Sequence, residues 1–174
     1  MDDLSAIQNC RAGDREAFRH LVEKYQAQAV GHALAIIGVR EDALDAVQEA
    51  FLDAFQALGS FDQERQFYPW LYAILRNRCF KLLASRKRLE VRSLGEIHTE
   101  ILAPTSSLSP EELMALERAL LALSPEDREL ITLKHLDGLS YRELAERLGI
   151  AEGTVMSRLY YARQRLRERL SSDR

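Results

Sequence analysis

Aromatic and basic side chains are concentrated between residues 61 and 88. Six of the 13 aromatic residues lie within positions 61–80, namely Phe61, Phe67, Tyr68, Trp70, Tyr72 and Phe80. The accompanying cations are Arg76, Arg78, Lys81, Arg86, Lys87 and Arg88. Because bases stack on aromatic rings for about 1–3 kcal/mol each while Lys and Arg contact phosphates, this pattern is typical of a surface for single-stranded nucleic acid. The alternative is that the rings form a hydrophobic core. Helical spacing favours the core for Tyr68 and Tyr72, whereas Trp70 shares a different side with Asn77 and Lys81.

A short helix, a turn and a longer helix are indicated over residues 139–170. Ser140 and Glu143 have the spacing of a capping box, and Gly149 supplies a tight turn before the second helix. The apolar side of that helix consists of Val155, Leu159, Ala162, Leu166 and Leu170. In a helix-turn-helix, the leading polar residues of the second helix reach base edges in the major groove. The candidates are Thr154, Met156, Ser157, Arg158, Tyr160 and Tyr161. Arg163, Arg165 and Arg167 lie further along, where contact with the DNA backbone is expected. The alternative is an αα-hairpin that binds no DNA.

A helix expected over residues 41–58 carries one acidic face. Its apolar side consists of Leu44, Val47, Phe51, Phe55 and Leu58, and the opposite side of Asp42, Asp45, Glu49, Asp53 and Gln56. This helix contains no Lys or Arg, although a solvated face usually mixes charges because like charges four residues apart repel. The row of carboxylates therefore indicates a basic partner, with an ordinary solvated face as the alternative.

Residue types for catalysis or metal binding are not grouped. The four histidines, His20, His32, His98 and His135, are scattered and lack the spacing of a metal-binding motif. The chain has neither a glycine-rich phosphate loop nor a G-x-S-x-G motif. Cys10 and Cys79 are the only cysteines, which excludes a disulfide scaffold. We therefore predict a protein that is not an enzyme and has no catalytic residue, metal site or cofactor.

The periodicity predicts an all-α fold with two small helical domains. The chain has 174 residues, 47% of them hydrophobic and 29% charged, which is an ordinary globular mixture. Helical patterns are expected over 14–38, 41–58, 69–88, 110–122, 125–136, 141–148 and from about 151 to 170. Asp14 is expected to cap the first of them. Residues 90–108 lose the helical period and contain Ala103-Pro104-Thr105-Ser106-Ser107, so we interpret them as a linker between the domains.

The net charge of −3 conceals two basic blocks in an acidic chain. Residues 65–92 contain eight basic residues and one acidic residue, and residues 151–174 contain six and three. Contact with nucleic-acid phosphates is expected to be confined to these blocks. The start of the chain does not resemble a secretory signal, and no apolar run approaches the roughly 18 residues that span a bilayer. A cytoplasmic location without direct membrane insertion is expected.

Three parts of the chain resemble bacterial ECF (extracytoplasmic-function) sigma factors of the sigma-70 superfamily. Residues 40–51, REDALDAVQEAF, resemble the polymerase-docking helix of that family. Residues 60–62, SFD, and 67–74, FYPWLYAI, resemble its promoter-melting segment. Residues 139–145, LSYRELA, and 153–159, GTVMSRL, resemble its C-terminal helix-turn-helix. The motifs follow the family order and extend over nearly the whole chain.

The resemblance implies an alternative sigma factor that binds core RNA polymerase and directs promoter-specific initiation. By analogy, the clamp helices of the largest polymerase subunit would contact Asp42, Asp45, Gln48, Glu49 and Phe51. The minus-ten element would be bound and melted by Phe61, Phe67, Trp70, Asn77, Lys81, Arg86 and Arg88. The minus-thirty-five element would be bound by Thr154, Met156, Ser157, Arg158, Tyr160, Tyr161 and Arg163. Further implied partners are the flap of the second polymerase subunit, promoter DNA in double- and single-stranded form, and an anti-sigma factor.

The same resemblance implies sigma region 2 at residues 1–89, a linker at 90–108 and sigma region 4 at 109–174. Two other kinds of function fit parts of the pattern. A helix-turn-helix regulator with a dimerising or sensing N-terminal part would bind duplex DNA without polymerase. A helical adaptor would bind proteins alone and would show no salt-dependent affinity for DNA. The aromatic and basic block separates the regulator from a sigma factor, because a protein that binds only duplex DNA does not need a surface for single strands.

Overall fold

The structure of the chain is a computed structural model that describes residues 1–90 and 109–172. Over these two ranges the chain forms eight α-helices, one short 3-10 turn and no strand, which confirms the predicted all-α fold. The first range contains α1 (Asp3–Arg11), α2 (Ala17–Ile37), α3 (Arg40–Ala57), the 3-10 turn (Leu58–Ser60) and α4 (Phe67–Glu90). The second range contains α5 (Pro110–Leu121), α6 (Pro125–His135), α7 (Tyr141–Leu148) and α8 (Glu152–Ser172).

The described residues divide into two compact units. The first unit comprises Met1–Ala33 and 39–90, and the second comprises Leu34–Gly38 and 109–172. The predicted linker at 90–108 lies outside the described residues except for its first residue, which ends α4. The predicted domain limits at 89 and 109 therefore remain a prediction. None of the helices in the described ranges is long and apolar enough to cross a membrane.

Helix boundaries in the second unit follow local capping chemistry. The Ser109 hydroxyl accepts a hydrogen bond from the Glu112 amide at 3.2 Å, and the Glu112 carboxylate accepts one from the Ser109 amide at 2.8 Å. Ser140 and Glu143 form the same reciprocal pair at the start of α7. Gly149 ends α7 with φ +66°, a left-handed conformation that disfavours residues with a Cβ. The predicted capping box at Ser140 and the closing glycine are confirmed, and α5 begins with the same type of capping box.

The first unit contains one helix that the sequence patterns did not indicate. Residues 3–11 form α1, in which the Asp2 carboxylate accepts a hydrogen bond from the Ser5 amide at 2.7 Å. The next helix begins at Ala17 rather than at the predicted cap Asp14, whose carboxylate accepts from the Glu16 amide within a turn. Helix α4 begins two residues before Pro69, because proline is tolerated where first-turn amides have no helical partner.

Each unit has its own apolar core. In the first, the buried side chains include Leu21, Leu71, Tyr72, Leu75 and Cys79, each at most 1% exposed. In the second, α8 packs against α5, α6 and α7 through Val155, Leu159 and Ala162, each also at most 1% exposed. The predicted apolar side of the last helix is therefore confirmed at these three positions. These cores hold α3, α4 and α8 in place and so determine which of their side chains stay accessible.

Candidate protein and nucleic-acid interfaces

The acidic face of α3 lies against the basic residues of α4. Arg78 donates two hydrogen bonds to the Asp53 carboxylate, at 2.5 and 2.6 Å, and lies 3.4 Å from the Glu49 carboxylate. Arg86 forms an ion pair with Asp42. Hydrogen bonding from Arg78 lowers the pKa of Asp53, because it stabilises the ionised carboxylate. Three of the acidic residues on this face therefore have a basic partner inside the first unit.

Two polar residues of the docking prediction are exposed on α3 and are not paired with the described residues of α4. Asp45 and Gln48 are exposed, and no ion pair among the described residues involves Asp45. Exposed leucines, Leu44 and Leu52, accompany them on the same helix at 38% and 56% exposure. Carboxylate, amide and apolar groups on one helix form a surface that fits a protein partner better than a nucleic acid.

Phe51, the apolar member of the docking prediction, is largely buried. Its side chain is 7% exposed, and its ring lies edge-on to that of Phe18 with centroids 6.3 Å apart. It belongs to the apolar stripe of α3 that the core covers, so only the edge of its ring is left for a partner. A shallow apolar groove between α2 and α3 borders this position, with Val22, Gln48 and Leu52 among its lining residues.

The loop before α4 places two aromatic residues in the core. Phe61 and Phe67 are 3% and 2% exposed, so neither ring is available to stack on a base. This finding corrects their assignment as direct DNA contacts. Tyr68 and Tyr72 are also buried, which confirms the core interpretation for these two residues. The Trp70 indole is only partly covered, by Phe61 at 5.0 Å and Phe67 at 5.7 Å between ring centroids.

The remaining residues of the minus-ten set are spread along α4. Asn77 and Lys81 are exposed, and Lys81 lines a groove together with Asp42, Asp45 and Glu49 of α3. Trp70 and Lys81 are roughly 16 Å apart along the helix at 1.5 Å per residue, so one bound base cannot touch both. Arg86 is engaged by an α3 carboxylate. The side chain of Arg88 lies outside the described part of the chain.

A cavity beside this loop involves residues that the sequence reasoning missed. It is bounded by the loop residues Gln63, Glu64, Arg65 and Gln66, by the start of α4, and by Asp3, Lys24 and Tyr25. Lys24 donates to Asp3 at 2.6 Å, and the Tyr25 hydroxyl also donates to Asp3. Burial raises the pKa of Tyr25, so its hydroxyl stays protonated as a donor. No periodic signal could have found this site, because its residues come from α1, α2 and a loop.

In the second unit, the start of α8 presents the residues predicted to read base edges. Met156, Tyr160 and Tyr161 are 52%, 59% and 55% exposed, and Ser157 and Arg158 are exposed as well. The Tyr160 and Tyr161 rings contact each other edge-on at 5.4 Å. Thr154 is partly buried, and its carbonyl accepts a hydrogen bond from the Ser157 hydroxyl at 3.1 Å. The structure therefore brings six of the seven candidates together on the first three turns of α8.

Two arginines further along α8 have different partners within the second unit. Arg163 is partly buried and lies 3.3 Å from the His135 ring through its Nε. Burial, followed by the charges of Arg163 and Lys134, lowers the pKa of His135. Arg165 donates to the Asp127 carboxylate at 2.9 and 2.6 Å and thereby joins α8 to α6. The expected DNA-backbone contact of Arg165 stays a prediction, and its half-exposed side chain already holds this internal ion pair.

Comparison with known proteins identifies the family to which this chain belongs. The family model "Sigma-70 region 2" matches residues 21–89, and "Sigma-70, region 4" matches residues 113–166. These matches define the class of protein as a sigma-70-type transcription initiation factor, which is not an enzyme. The ECF RNA polymerase sigma-E factor of Escherichia coli K12 is 35% identical over 180 residues, covering 94% of this chain and 92% of that protein. The chain belongs to the ECF sigma factors and is an alternative sigma factor.

Two solved structures are similar to the whole chain. The sigma factor RpoE of Bartonella quintana, in complex with the anti-sigma factor NepR, is 29% identical and superposes with a TM-score of 0.73, covering 90% of this chain and 98% of that one. CnrH, in complex with the cytosolic domain of CnrY, is also 29% identical, with a TM-score of 0.70 and 99% of both chains covered. The sequence-based resemblance to this family is confirmed.

Proposed function

We propose that the three surfaces divide the work of transcription initiation among α3, α4 and α8. Region 2 corresponds to residues 1–89 and region 4 to residues 109–174, joined by a linker at 90–108. Helix α3 docks on the clamp helices of the largest polymerase subunit. The loop after α3 and the start of α4 open the minus-ten element, and α8 reads the minus-thirty-five element.

Docking uses the part of α3 that α4 leaves uncovered. Asp45 and Gln48 make the central contacts, and Leu44 and Leu52 add apolar area beside them. Asp42 and Glu49 contribute less than the sequence pattern indicated, because Arg86 and Arg78 already compensate their charges. The exposed Asp45 on the helix that resembles the family's docking helix is the observation that carries the proposal. A regulator that binds only duplex DNA does not require an exposed carboxylate at this position.

Strand opening uses Trp70 on a platform of buried rings. The Phe61 and Phe67 rings contact the indole of Trp70. The uncovered part of the indole offers a face for one unpaired base. The cavity bounded by Gln63, Gln66 and Tyr25 is the place where a flipped base would find amide and hydroxyl partners. Asn77 and Lys81 contact the sugar-phosphate backbone of the same strand further along α4.

Recognition of the minus-thirty-five element uses the exposed start of α8. Arg158 can donate two hydrogen bonds to guanine, and Ser157 can bond to a base or a phosphate. The Tyr160 and Tyr161 rings add apolar contacts with thymine methyl groups. Arg163 lies beyond these residues and holds a phosphate. Region 4 also binds the flap of the second polymerase subunit.

Regulation by an anti-sigma factor and a cytoplasmic site of action complete the proposal. One similar structure contains the sigma factor RpoE bound to the anti-sigma factor NepR, and the other contains CnrH bound to the cytosolic domain of CnrY. A partner of this kind that covers α3 would keep the chain from polymerase.

Reconstituted transcription tests the proposal. The purified chain is mixed with core RNA polymerase of the same organism, and the complex is isolated by gel filtration. The complex is then supplied with linear duplexes carrying randomised minus-ten and minus-thirty-five elements, and the transcripts are sequenced. Co-elution and a consensus shared by the transcribed templates are expected. Tight duplex binding without polymerase would favour the stand-alone regulator, and absence of DNA binding even with polymerase would favour the adaptor.

A further inference from the structure

Helix α1 makes an unusual contact with the turn that follows α3. Arg11, in the last turn of α1, donates through Nε to the Leu58 carbonyl at 3.1 Å and through Nη2 to the same carbonyl at 2.8 Å. The same Nη2 also donates to the Gly59 carbonyl at 3.2 Å and to the Phe61 carbonyl at 2.5 Å. One guanidinium therefore gathers three carbonyls of a four-residue stretch that lies 47 to 50 positions away.

The chemistry of this contact suits a helix end. Carbonyls in the last turn of a helix lack amide partners within the helix and carry the negative end of its dipole. A guanidinium is planar, stays charged at physiological pH and presents its donors in a fixed fork, so it can hold several carbonyls in one arrangement. The backbone hydrogen bond that closes this turn runs from the Phe61 amide to the Leu58 carbonyl and is long, at 3.2 Å. The Ser60 hydroxyl also donates to the Ala57 carbonyl at 2.7 Å, and Arg11 adds a charged donor to the carbonyls of Leu58, Gly59 and Phe61.

The turn at 58–61 also determines the position of the aromatic platform, by which we mean the Phe61 and Phe67 rings that contact Trp70. The Phe61 carbonyl is held by Arg11, and the Phe61 ring, 3% exposed, contacts Trp70 at 5.0 Å and Phe67 at 5.8 Å. A shift of the Phe61 backbone would therefore move the surface on which the indole rests. The hydrogen bonds of the Arg11 side chain go to backbone carbonyls, so its influence on the indole passes through Phe61.

We propose that Arg11 is a positioning residue for promoter opening, acting through the turn at 58–61 and Phe61 on Trp70. The proposal rests on the proposed role of Trp70 in strand opening. Arg11 lies before residue 21, where the match to sigma-70 region 2 begins, so the matched region does not include it. Helix α1 is then part of the opening machinery. It reaches the loop through Arg11 and also lines the loop cavity with Asp3 and Ile7.

The first test measures positioning in the free protein and needs neither polymerase nor promoter. Trp70 is the only tryptophan, so its emission and its quenching by acrylamide report the state of the platform. Arg11→Ala is expected to raise the quenching constant of Trp70 by about half or more, because the three carbonyls lose a charged donor. Arg15→Ala is the matched control, since Arg15 is exposed and its side chain makes no hydrogen bond or ion pair within the described ranges. Equal quenching in Arg11→Ala and the wild type would overturn the positioning role.

The second test separates opening from docking and from stability. Holoenzymes are assembled on a promoter selected with the wild-type protein, once as a duplex and once with the minus-ten region already mismatched. Permanganate reactivity of thymines and transcript yield are followed on both templates. With Arg11→Ala, opening of the duplex is expected to slow about tenfold, while the mismatched template is transcribed normally and polymerase affinity changes less than about twofold. Arg11→Lys keeps the charge but loses the planar fork of donors, so its rate of duplex opening should fall between those of the wild type and Arg11→Ala.

The outcomes separate this proposal from the one on which it rests. Equal loss on both templates would mean that Arg11 serves folding or docking. Normal opening of the duplex by Arg11→Ala would mean that Arg11 has no role in promoter opening. If the wild-type holoenzyme opens no promoter while Arg11→Ala still alters Trp70 quenching, the role of the loop in opening is wrong but the positioning of Trp70 by Arg11 stands.

Discussion

Reversing the charge of Asp45 should separate polymerase docking from folding. Asp45 is exposed and makes no ion pair among the described residues, whereas Asp53, two turns later on α3, holds Arg78 with two hydrogen bonds. Asp45→Arg removes an attractive contact with a basic partner and adds a repulsive one. Asp53→Asn keeps the shape of the side chain and removes its charge. The two variants therefore change the same helix, but Asp45→Arg alters its exposed docking surface and Asp53→Asn alters its internal ion pair with α4.

The size of each effect follows from the surroundings of the carboxylate. At a protein surface, a close charge pair contributes about 1–2 kcal/mol, so reversal of one charge costs about 2–4 kcal/mol of binding free energy. This loss corresponds to an increase of roughly 30- to 1,000-fold in the Kd for core polymerase. The free energy of unfolding should change by less than about 0.5 kcal/mol, because the introduced guanidinium is attracted by its helical neighbours Glu41 and Glu49 and repelled by Arg78.

Asp53→Asn should behave in the opposite way. The Asp53 and Arg78 side chains are 33% and 34% exposed, between the surface and buried extremes for an ion pair. Loss of the pair should lower the free energy of unfolding of the first unit by about 1–2 kcal/mol. The affinity for core polymerase should stay within about twofold of wild type, because this carboxylate faces α4 rather than a partner.

Two measurements check both variants. Urea denaturation, followed by the fluorescence of the single tryptophan, gives the stability of the first unit. Competition for core polymerase against a labelled wild-type chain gives relative Kd values at two salt concentrations. Wild-type affinity in Asp45→Arg, or an equal loss of affinity in Asp53→Asn, would refute the assignment of the docking surface to the uncovered part of α3.

Further predictions concern the other surfaces. Trp70→Ala should reduce permanganate reactivity of promoter thymines about tenfold or more while polymerase binding stays normal, because one base loses its stacking partner; reduced polymerase binding would contradict this role. Gly149→Ala should lower the free energy of unfolding of the second unit by about 1–2 kcal/mol in circular-dichroism melts, since the new Cβ meets no neighbour and only the left-handed backbone is strained. Arg158→Ala should weaken binding of the minus-thirty-five element by about 1–3 kcal/mol and relax its sequence preference in competition assays. Because Arg78 lowers the pKa of Asp53, the stabilisation by this pair is present above the ordinary carboxyl pKa of 3.8 and is lost as the pH falls through the lowered value. Acid titration of unfolding should therefore show a smaller loss of stability in Asp53→Asn than in wild type.

Local chemistry in the sequence determined most of the helices and the class of protein. The boundaries of α5 and α7 follow from residues three positions apart, and the end of α7 from a single glycine. The buried side of α8 follows from its period of 3.6 residues, so the spacing of Val155, Leu159 and Ala162 is enough to place them there. The motifs for docking, melting and duplex recognition each fall within a short stretch of the sequence, of at most about 20 residues, which is why they indicated the family.

The tertiary structure alone decided which of the indicated residues remain available. Periodicity places carboxylates on one face of α3, but only the packing of α4 shows that Asp53 and Glu49 meet Arg78 while Asp45 does not. Composition places aromatic residues beside cations, but only the core shows that Phe61 and Phe67 support Trp70 instead of meeting a base. The physical reason is that burial and ion pairing depend on which distant segments pack together.

The contact of Arg11 with the carbonyls of Leu58, Gly59 and Phe61 is the clearest case. Its partners are backbone atoms nearly fifty residues away, and a backbone carbonyl has the same chemistry whatever residue carries it. The sequence by itself therefore determined the helices, their capped ends and the family of the protein. The folded chain decided which charges are compensated, which rings are covered and which arginine holds the loop.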